Sequence, residues 1–158
     1  MRVQVQWELA ILKNDHIEAK KIVNELLVDI FNRILIIEAE YMKKQNVKLS
    51  MNEIHVLEAI ERVDEPSMSN IAKQLHITVG SLTTAINTLF QKKYVIRDRD
   101  VDDRRKVIVR LTDLSYDVLS KHEQFHNHMI DSIFKDLNVG EDQLLIDSLR
   151  NLSSFFSR

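Results

Sequence analysis

Apolar residues recur along this chain in long stripes of helical spacing, interrupted near the middle by two short runs rich in β-branched residues. From Ile22 they come as adjacent pairs every four residues: Ile22 with Val23, Leu26 with Leu27, Ile30 with Phe31, and Ile34 with Leu35. Asn24, Glu25, Asp29, Asn32 and Arg33 take the opposite face, which predicts a long helix with a wide apolar stripe. Ser50-Met51-Asn52-Glu53 reads as a capping box with Leu49 and Ile54 as the hydrophobic staple. A second helix therefore starts at about Met51, runs through Ile54, Leu57 and Ile60, and stops before Pro66. Ser69 is placed to cap a short helix holding Ile71, Ala72 and Leu75, and Thr78 to cap the next.

In that next helix Val79, Leu82, Ile86 and Leu89 share one face, while Gly80, Ser81, Thr84, Asn87, Thr88 and Gln91 share the other. The β-branched runs follow, Tyr94 to Arg97 and Lys106 to Leu111, flanking a polar eight-residue loop, and they predict a hairpin. Thr112 then caps a long stripe from Leu114 through Val118, Leu119, Phe125, Met129, Ile130, Ile133 and Phe134 to Leu137. Asn138-Val139-Gly140 breaks it, and Glu141 and Asp142 open a last helix whose apolar positions include Leu145, Leu149, Leu152 and Phe156.

Two short helices joined by a tight turn and followed by a hairpin describe one fold class. It is mostly α: a winged helix-turn-helix with a two-stranded β wing, flanked by long N- and C-terminal dimerisation helices. The expected division is a single domain with an N-terminal extension over 1–20, a helical dimerisation region over 21–62 and 113–158, and the DNA-binding region over 63–112. The outer face of the second reader helix supports that function. A solvated surface helix ordinarily carries Glu and Lys, whereas a helix lying in a major groove needs short donors and acceptors and excludes carboxylates from the phosphates.

Composition changes the picture in three places. Two glycines and one proline in 158 residues leave few chain breaks and favour long helices. The net charge of −2 looks unsuited to DNA, yet residues 66–112 hold nine Lys and Arg against four Asp, so a basic segment sits on an acidic remainder. No cysteine is present, which removes disulfides and thiolate chemistry, and no apolar run approaches membrane-spanning length. The expectation is a cytoplasmic protein that is not an enzyme, needs no cofactor and has no membrane partner.

With these elements placed, the chain resembles the MarR-type bacterial transcriptional regulators. The residues that carry the resemblance are Ile71-Ala-Lys-Gln-Leu75, the cap and helix from Thr78 to Leu89, Tyr94-Val-Ile-Arg97, Asp100-x-x-Asp103-Arg104-Arg105, and Leu111-Thr112. The resemblance covers about residues 22 to 156 and implies a homodimer that places one helix of each protomer in the major groove of double-stranded DNA and one wing near the minor groove. It implies that Arg105 enters the minor groove and that Asp103 braces the wing by pairing with an arginine. Lys93 stands where the family usually ends its helix with glycine, and Ser115 where glycine often follows Leu-Thr, so Lys93 is expected to be left-handed. Ile30 to Glu38, Leu49 to His55, Thr78 to Thr84 and His122-x-x-Phe-His126 are similar to the subgroup that represses fatty-acid synthesis genes. That subgroup uses long-chain acyl groups on acyl carrier protein as corepressor.

The expected DNA-contacting set is Ser81, Thr84 and Asn87 at base edges, Lys73, Thr78 and Thr83 at the backbone, and Arg104, Arg105 and Lys106 in the wing, acting on a pseudo-palindromic operator. An effector pocket lined by Phe31, Ile34, Leu35, His55, Phe125, His126 and Met129 is a further expectation, although core packing explains each of these residues equally well. A rival reading rests on His122-Glu-Gln-Phe-His126, which matches the His-Glu-x-x-His pattern of zinc peptidases. That chemistry needs a third ligand, for which Glu141 is conceivable, and an open cleft, whereas this stripe implies burial. A milder rival keeps DNA binding but makes the protein a zinc sensor through His122, His126, His128 or Glu123.

Overall fold

The computed structural model describes residues 17–99, 106–135 and 143–156. The extension over 1–16, the wing tip with Asp103, Arg104 and Arg105, and the break at 138–140 with Glu141 lie outside the described residues. Within them, α1 spans 17–44, α2 Met51–Arg62, α3 Met68–Gln74, α4 Val79–Gln91, β1 Val95–Arg99, β2 Val107–Leu111, α5 Asp113–Phe134 and α6 Gln143–Phe156. The order is that of a winged helix-turn-helix with helices on both sides.

Helix α1 is continuous but takes a π-helical turn over Leu26–Ile30. A stripe repeating every four residues drifts by about 40° per repeat on a helix of 3.6 residues per turn. The wider i→i+5 turn slows that drift where the stripe is richest.

The capping box at Ser50 forms in both directions: the Ser50 amide donates to Glu53 Oε2 at 2.8 Å and the Glu53 amide to Ser50 Oγ at 3.3 Å. Leu49 and Ile54 are both buried beneath it. Helix α3 differs from expectation, because its N-cap is Ser67 and not Ser69: Ser67 Oγ accepts from the Asn70 amide at 3.3 Å. The reason is tertiary. Ser67 forms an antiparallel bridge with Ile108 of β2 and is therefore extended, the backbone state that an N-cap requires.

Among the described residues three other than glycine are left-handed, Asn46, His76 and Lys93, and each follows the C-cap of a helix, α1, α3 and α4 respectively. Each closes a Schellman motif. At α3 the Ile77 amide donates to Ala72 O and His76 to Lys73 O; at α4 Tyr94 donates to Leu89 O and Lys93 to Phe90 O. A chain with two glycines makes these turns from other residues, each at a cost of about 1–2 kcal/mol relative to glycine. Thr112 is the N-cap of α5, but its hydroxyl does not cap the helix; it donates to Lys93 O at 2.9 Å and Tyr94 O at 3.1 Å. Buried Ser115 donates to Tyr94 O as well, so the hydroxyls of α5 tie its first turn to the end of α4.

The wing strands pair antiparallel in the register Val95 to Leu111 and Asp98 to Ile108. The core collects Ile54, Leu57 and Ile60 of α2, Ile71 of α3, Leu82, Ile86 and Leu89 of α4, Val95 and Val109 of the wing, and Val118 and Leu119 of α5. Helix α1 contributes Met42 to it, while the rest of its stripe stays outside.

Candidate nucleic-acid interface

Helix α4 is built from its buried face outwards. Leu82, Ile86 and Leu89 are fully buried, which fixes the roll of the helix and turns Ser81, Thr83, Thr84 and Asn87 to solvent together. Val79, placed by spacing on the inner face, is exposed instead, because the first turn projects beyond the core. Thr78 caps as expected, accepting from the Ser81 amide at 3.1 Å and sharing a hydrogen bond with Ser81 Oγ at 2.9 Å. The Thr83 hydroxyl donates to Val79 O at 2.7 Å, which holds its rotamer and leaves oxygen lone pairs facing outwards. Lys73 on α3 is exposed.

A side chain not singled out from the sequence joins this face. Arg97 of β1 donates through Nη2 to Asn87 Oδ1 at 2.5 Å, and its guanidinium lies 5.4 Å from the centre of the Phe90 ring. The amide oxygen of Asn87 is thereby engaged and its NH2 is left to point away. The wing is braced among the described residues by Arg110, whose Nε meets Asp98 Oδ2 at 3.0 Å across the two strands. Lys106 pairs with Glu65, so this wing cation is shared with the loop before α3.

Glu53 ties the reader to α2. It receives Lys92 Nζ at 2.7 Å while it caps α2, linking the first turn of α2 to the end of α4. Burial alone would raise its carboxyl, but the hydrogen bonds from Lys92 and Ser50 outweigh this and hold it below the ordinary value.

The predicted effector residues do not gather in one place. A cavity of about 320 Å³ between α1 and α5 is lined by Ile34, Ile37, Glu40, Tyr41, Lys44, Phe125, His128 and Met129. Ile34, Phe125 and Met129 were expected there; Phe31, Leu35, His55 and His126 are not among its lining, and Ile37, Tyr41 and His128 were missed. His126 instead joins a polar cluster beside it. Glu38 of α1 receives both His122 Nε2 and His126 Nε2, the latter at 3.0 Å, while His122 Nδ1 meets Glu58 of α2 at 2.9 Å.

His55 lies edge-on to His122, with ring centres 5.9 Å apart. Burial would lower the His122 imidazole, yet its hydrogen bonds to Glu58 and Glu38 raise it overall; Glu58 is held low by the same contact against its own burial. Glu123 sits on the exposed face and does not join the cluster, so the carboxylates that meet the histidines come from other helices. The signal for Glu38 was present in the pairwise stripe, where Glu38-Ala39 occupies the position due for the next apolar pair.

The family model described as the MarR family matches residues 49–107, from the α2 cap to the start of β2. The solved structure of Streptococcus pneumoniae FabT in complex with DNA is similar over the whole fold: 30% identity, 87% of this chain and 97% of that one covered, and a TM-score of 0.79. The chain belongs to the MarR family. Among curated relatives of this MarR-family chain, the HTH-type transcriptional regulator SarZ of Staphylococcus haemolyticus is 25% identical over 116 residues, 72% of this chain and 75% of that relative. SarZ of Staphylococcus epidermidis is 28% identical over 98 residues, 61% of this chain and 64% of that relative. This is a DNA-binding transcriptional regulator. Among the described residues no helix is long and apolar enough to cross a membrane.

Proposed function

We propose that this MarR-family regulator is a homodimeric repressor of a pseudo-palindromic operator, that it controls fatty-acid synthesis genes, and that long-chain acyl groups on acyl carrier protein act as its corepressor. The observation that carries this reading is the likeness to FabT across nearly the whole of that chain, together with the exposure of Ser81, Thr84 and Asn87 on one helix. Ser81, Thr84 and Asn87 read base edges, with Arg97 orienting the Asn87 amide; Lys73, Thr78 and Thr83 meet phosphates. Arg104, Arg105 and Lys106 supply the wing contacts, Arg105 in the minor groove, and Asp103 braces them.

Dimerisation is supported by apolar surface that the chain does not cover itself. Leu144, Leu149 and Phe155 of α6 and Ile22, Leu26 and Phe31 of α1 are exposed. Exposed apolar stripes of this kind call for a partner surface. An acyl chain lodged in the cavity between α1 and α5 would set the spacing of the two α4 helices, and so favour the DNA-competent state to the extent that it binds that state more tightly.

The decisive measurement is the affinity of the full chain for the promoter of its own organism's fatty-acid synthesis genes, with and without acyl carrier protein loaded at several chain lengths. Tighter operator binding with long-chain forms is expected. No effect at any length ends the corepressor reading, and no binding to that promoter ends the assignment of the regulated genes.

A further inference from the structure

His122 and His126 stand one turn apart on α5, so both rings leave the same face of the helix. Glu38 of α1 lies between them, and the three ligand atoms, His122 Nε2, His126 Nε2 and a Glu38 carboxylate oxygen, fall within 4.8 Å of one another. Glu38 and His122 are each only 2% exposed. Among the described residues the groups that meet the Glu38 carboxylate are these two rings.

The arrangement demands a positive charge. A neutral imidazole has one N–H, yet His122 faces a carboxylate through each nitrogen, Glu38 at Nε2 and Glu58 at Nδ1. Whichever nitrogen lacks a proton would aim its lone pair at a carboxylate, so the ring either carries a second proton or turns that lone pair to a metal ion. With Nδ1–H donated to Glu58, Nε2 of His122 is turned to Glu38 with its lone pair available, which is the usual orientation of a metal-ligating histidine held by a second carboxylate. Glu58 is itself reached from the exposed side by Arg62 at 3.6 Å, whereas Glu38 has the two rings.

We infer that Glu38, His122 and His126 form a binding site for a divalent transition metal of the zinc class, with Glu58 orienting His122. The ligand set is two imidazoles and one carboxylate with no sulfur, which suits zinc. Ligands about 2.0–2.1 Å from a tetrahedral zinc lie roughly 3.3 Å apart. The His126-to-Glu38 separation of 3.0 Å thus needs to open by a few tenths of an ångström, and the closer His122-to-Glu38 contact by more. His126 is 39% exposed and gives the ion an entry path and a water for the fourth position. The site clamps α1 to α5, and through Glu58 to α2, next to the effector cavity. It is independent of the corepressor reading, since it rests on the cluster alone.

The test is direct titration of the chelator-stripped, tag-free full chain with zinc(II) against a competing chromophoric chelator, repeated with cobalt(II) for its visible bands. One zinc per chain is expected, with the intense visible absorption of four-coordinate cobalt. His126→Gln should lower zinc affinity by more than about 100-fold and abolish those bands, and Glu58→Gln should lower it roughly 10–100-fold with the stoichiometry unchanged. Variants at buried Glu38 or His122 can fail to fold, so half-exposed His126 carries the test, with circular dichroism verifying its fold. A folded wild-type chain that takes up no stoichiometric zinc, a cobalt spectrum like that of the hexaaqua ion, or equal affinities for wild type and His126→Gln overturns the assignment.

Discussion

The reader formed by α3, α4 and the wing and the arms formed by α1 and α6 use the same amphipathic grammar to opposite ends. In the reader most of the apolar face is consumed within the chain: Ile71, Leu82, Ile86, Leu89, Val95 and Val109 are all buried, and the outer face of α4 is largely short and polar, although Val79 and Phe90 are exposed. In the arms the apolar faces are what remains outside; Leu144 is 79% and Phe155 68% exposed, and much of the α1 stripe is open. Burial in the reader fixes the orientation of a polar surface for a polar partner, DNA. Exposure in the arms leaves an unmet hydrophobic term, which in the proposed homodimer a second copy of the chain would meet.

The largest effect that can break this comparison lies in the arms. Leu149→Glu places a charge on the exposed stripe of α6 while touching nothing in the reader. Burying a leucine is worth about 1.5–3 kcal/mol, and symmetry counts it twice, so the dimer should weaken by roughly 10²–10⁴-fold. Sedimentation at graded concentrations measures this, and an unchanged dimer would show that α6 is not at the interface.

The reader is sharpened by Asn87→Ala, which should cost about 1–3 kcal/mol of discrimination at one base pair and relax preference there. Arg105→Ala should instead weaken all sequences alike and reduce the salt slope by about one contact. Binding isotherms at several salt concentrations on matched and mismatched operators separate the two; the same response from both variants would undo the division into base and backbone contacts.

Smaller still is the joint between the regions. Ser50→Ala removes the N-cap of α2 and should cost about 1 kcal/mol in chemical denaturation, with m unchanged. A loss indistinguishable from zero would mean that water replaces the cap.

The smallest effect is a pH dependence. Because the folded Glu53 carboxyl is held below its ordinary value of 4.5, its contribution is fully present above that value and is lost as pH falls through the lowered one. The pair with Lys92 is partly exposed, so the amount is below about 1 kcal/mol. Denaturation of wild type and Glu53→Gln between pH 7 and about 3 should converge at the acid end; curves that stay parallel would remove Glu53 from the account.

Most of the architecture was legible along the chain because it rests on local rules. The Ser50 box, the Thr78 cap and the burial of Leu82, Ile86 and Leu89 on α4 follow from spacings of a few residues and formed as read, while Val79 of the same predicted face is exposed; the left-handed Lys93 followed from the resemblance. The exceptions are contacts between elements. Ser67 displaced Ser69 as the α3 cap because a strand forty residues later holds it extended. The Thr112 hydroxyl turned away from its own helix to the carbonyls at the end of α4. Arg97 joined the outer face of α4 because β1 folds back along α4, and of the expected effector residues Ile34, Phe125 and Met129 line an apolar cavity, His126 meets Glu38 and His55 lies edge-on to His122, while Phe31 and Leu35 join neither.

The sequence by itself determined the helices, the caps at Ser50 and Thr78, and the reader with its polar outer face, since periodicity and capping act within one or two turns and leave a direct imprint on residue order. Only the tertiary structure decided which polar groups meet. Glu38, His122 and Glu58 are far apart in the chain and come from three helices, and nothing in linear spacing says that two carboxylates will share one buried imidazole. That meeting is set by how α1, α2 and α5 pack, where the balance of desolvation against charge pairing is struck in three dimensions.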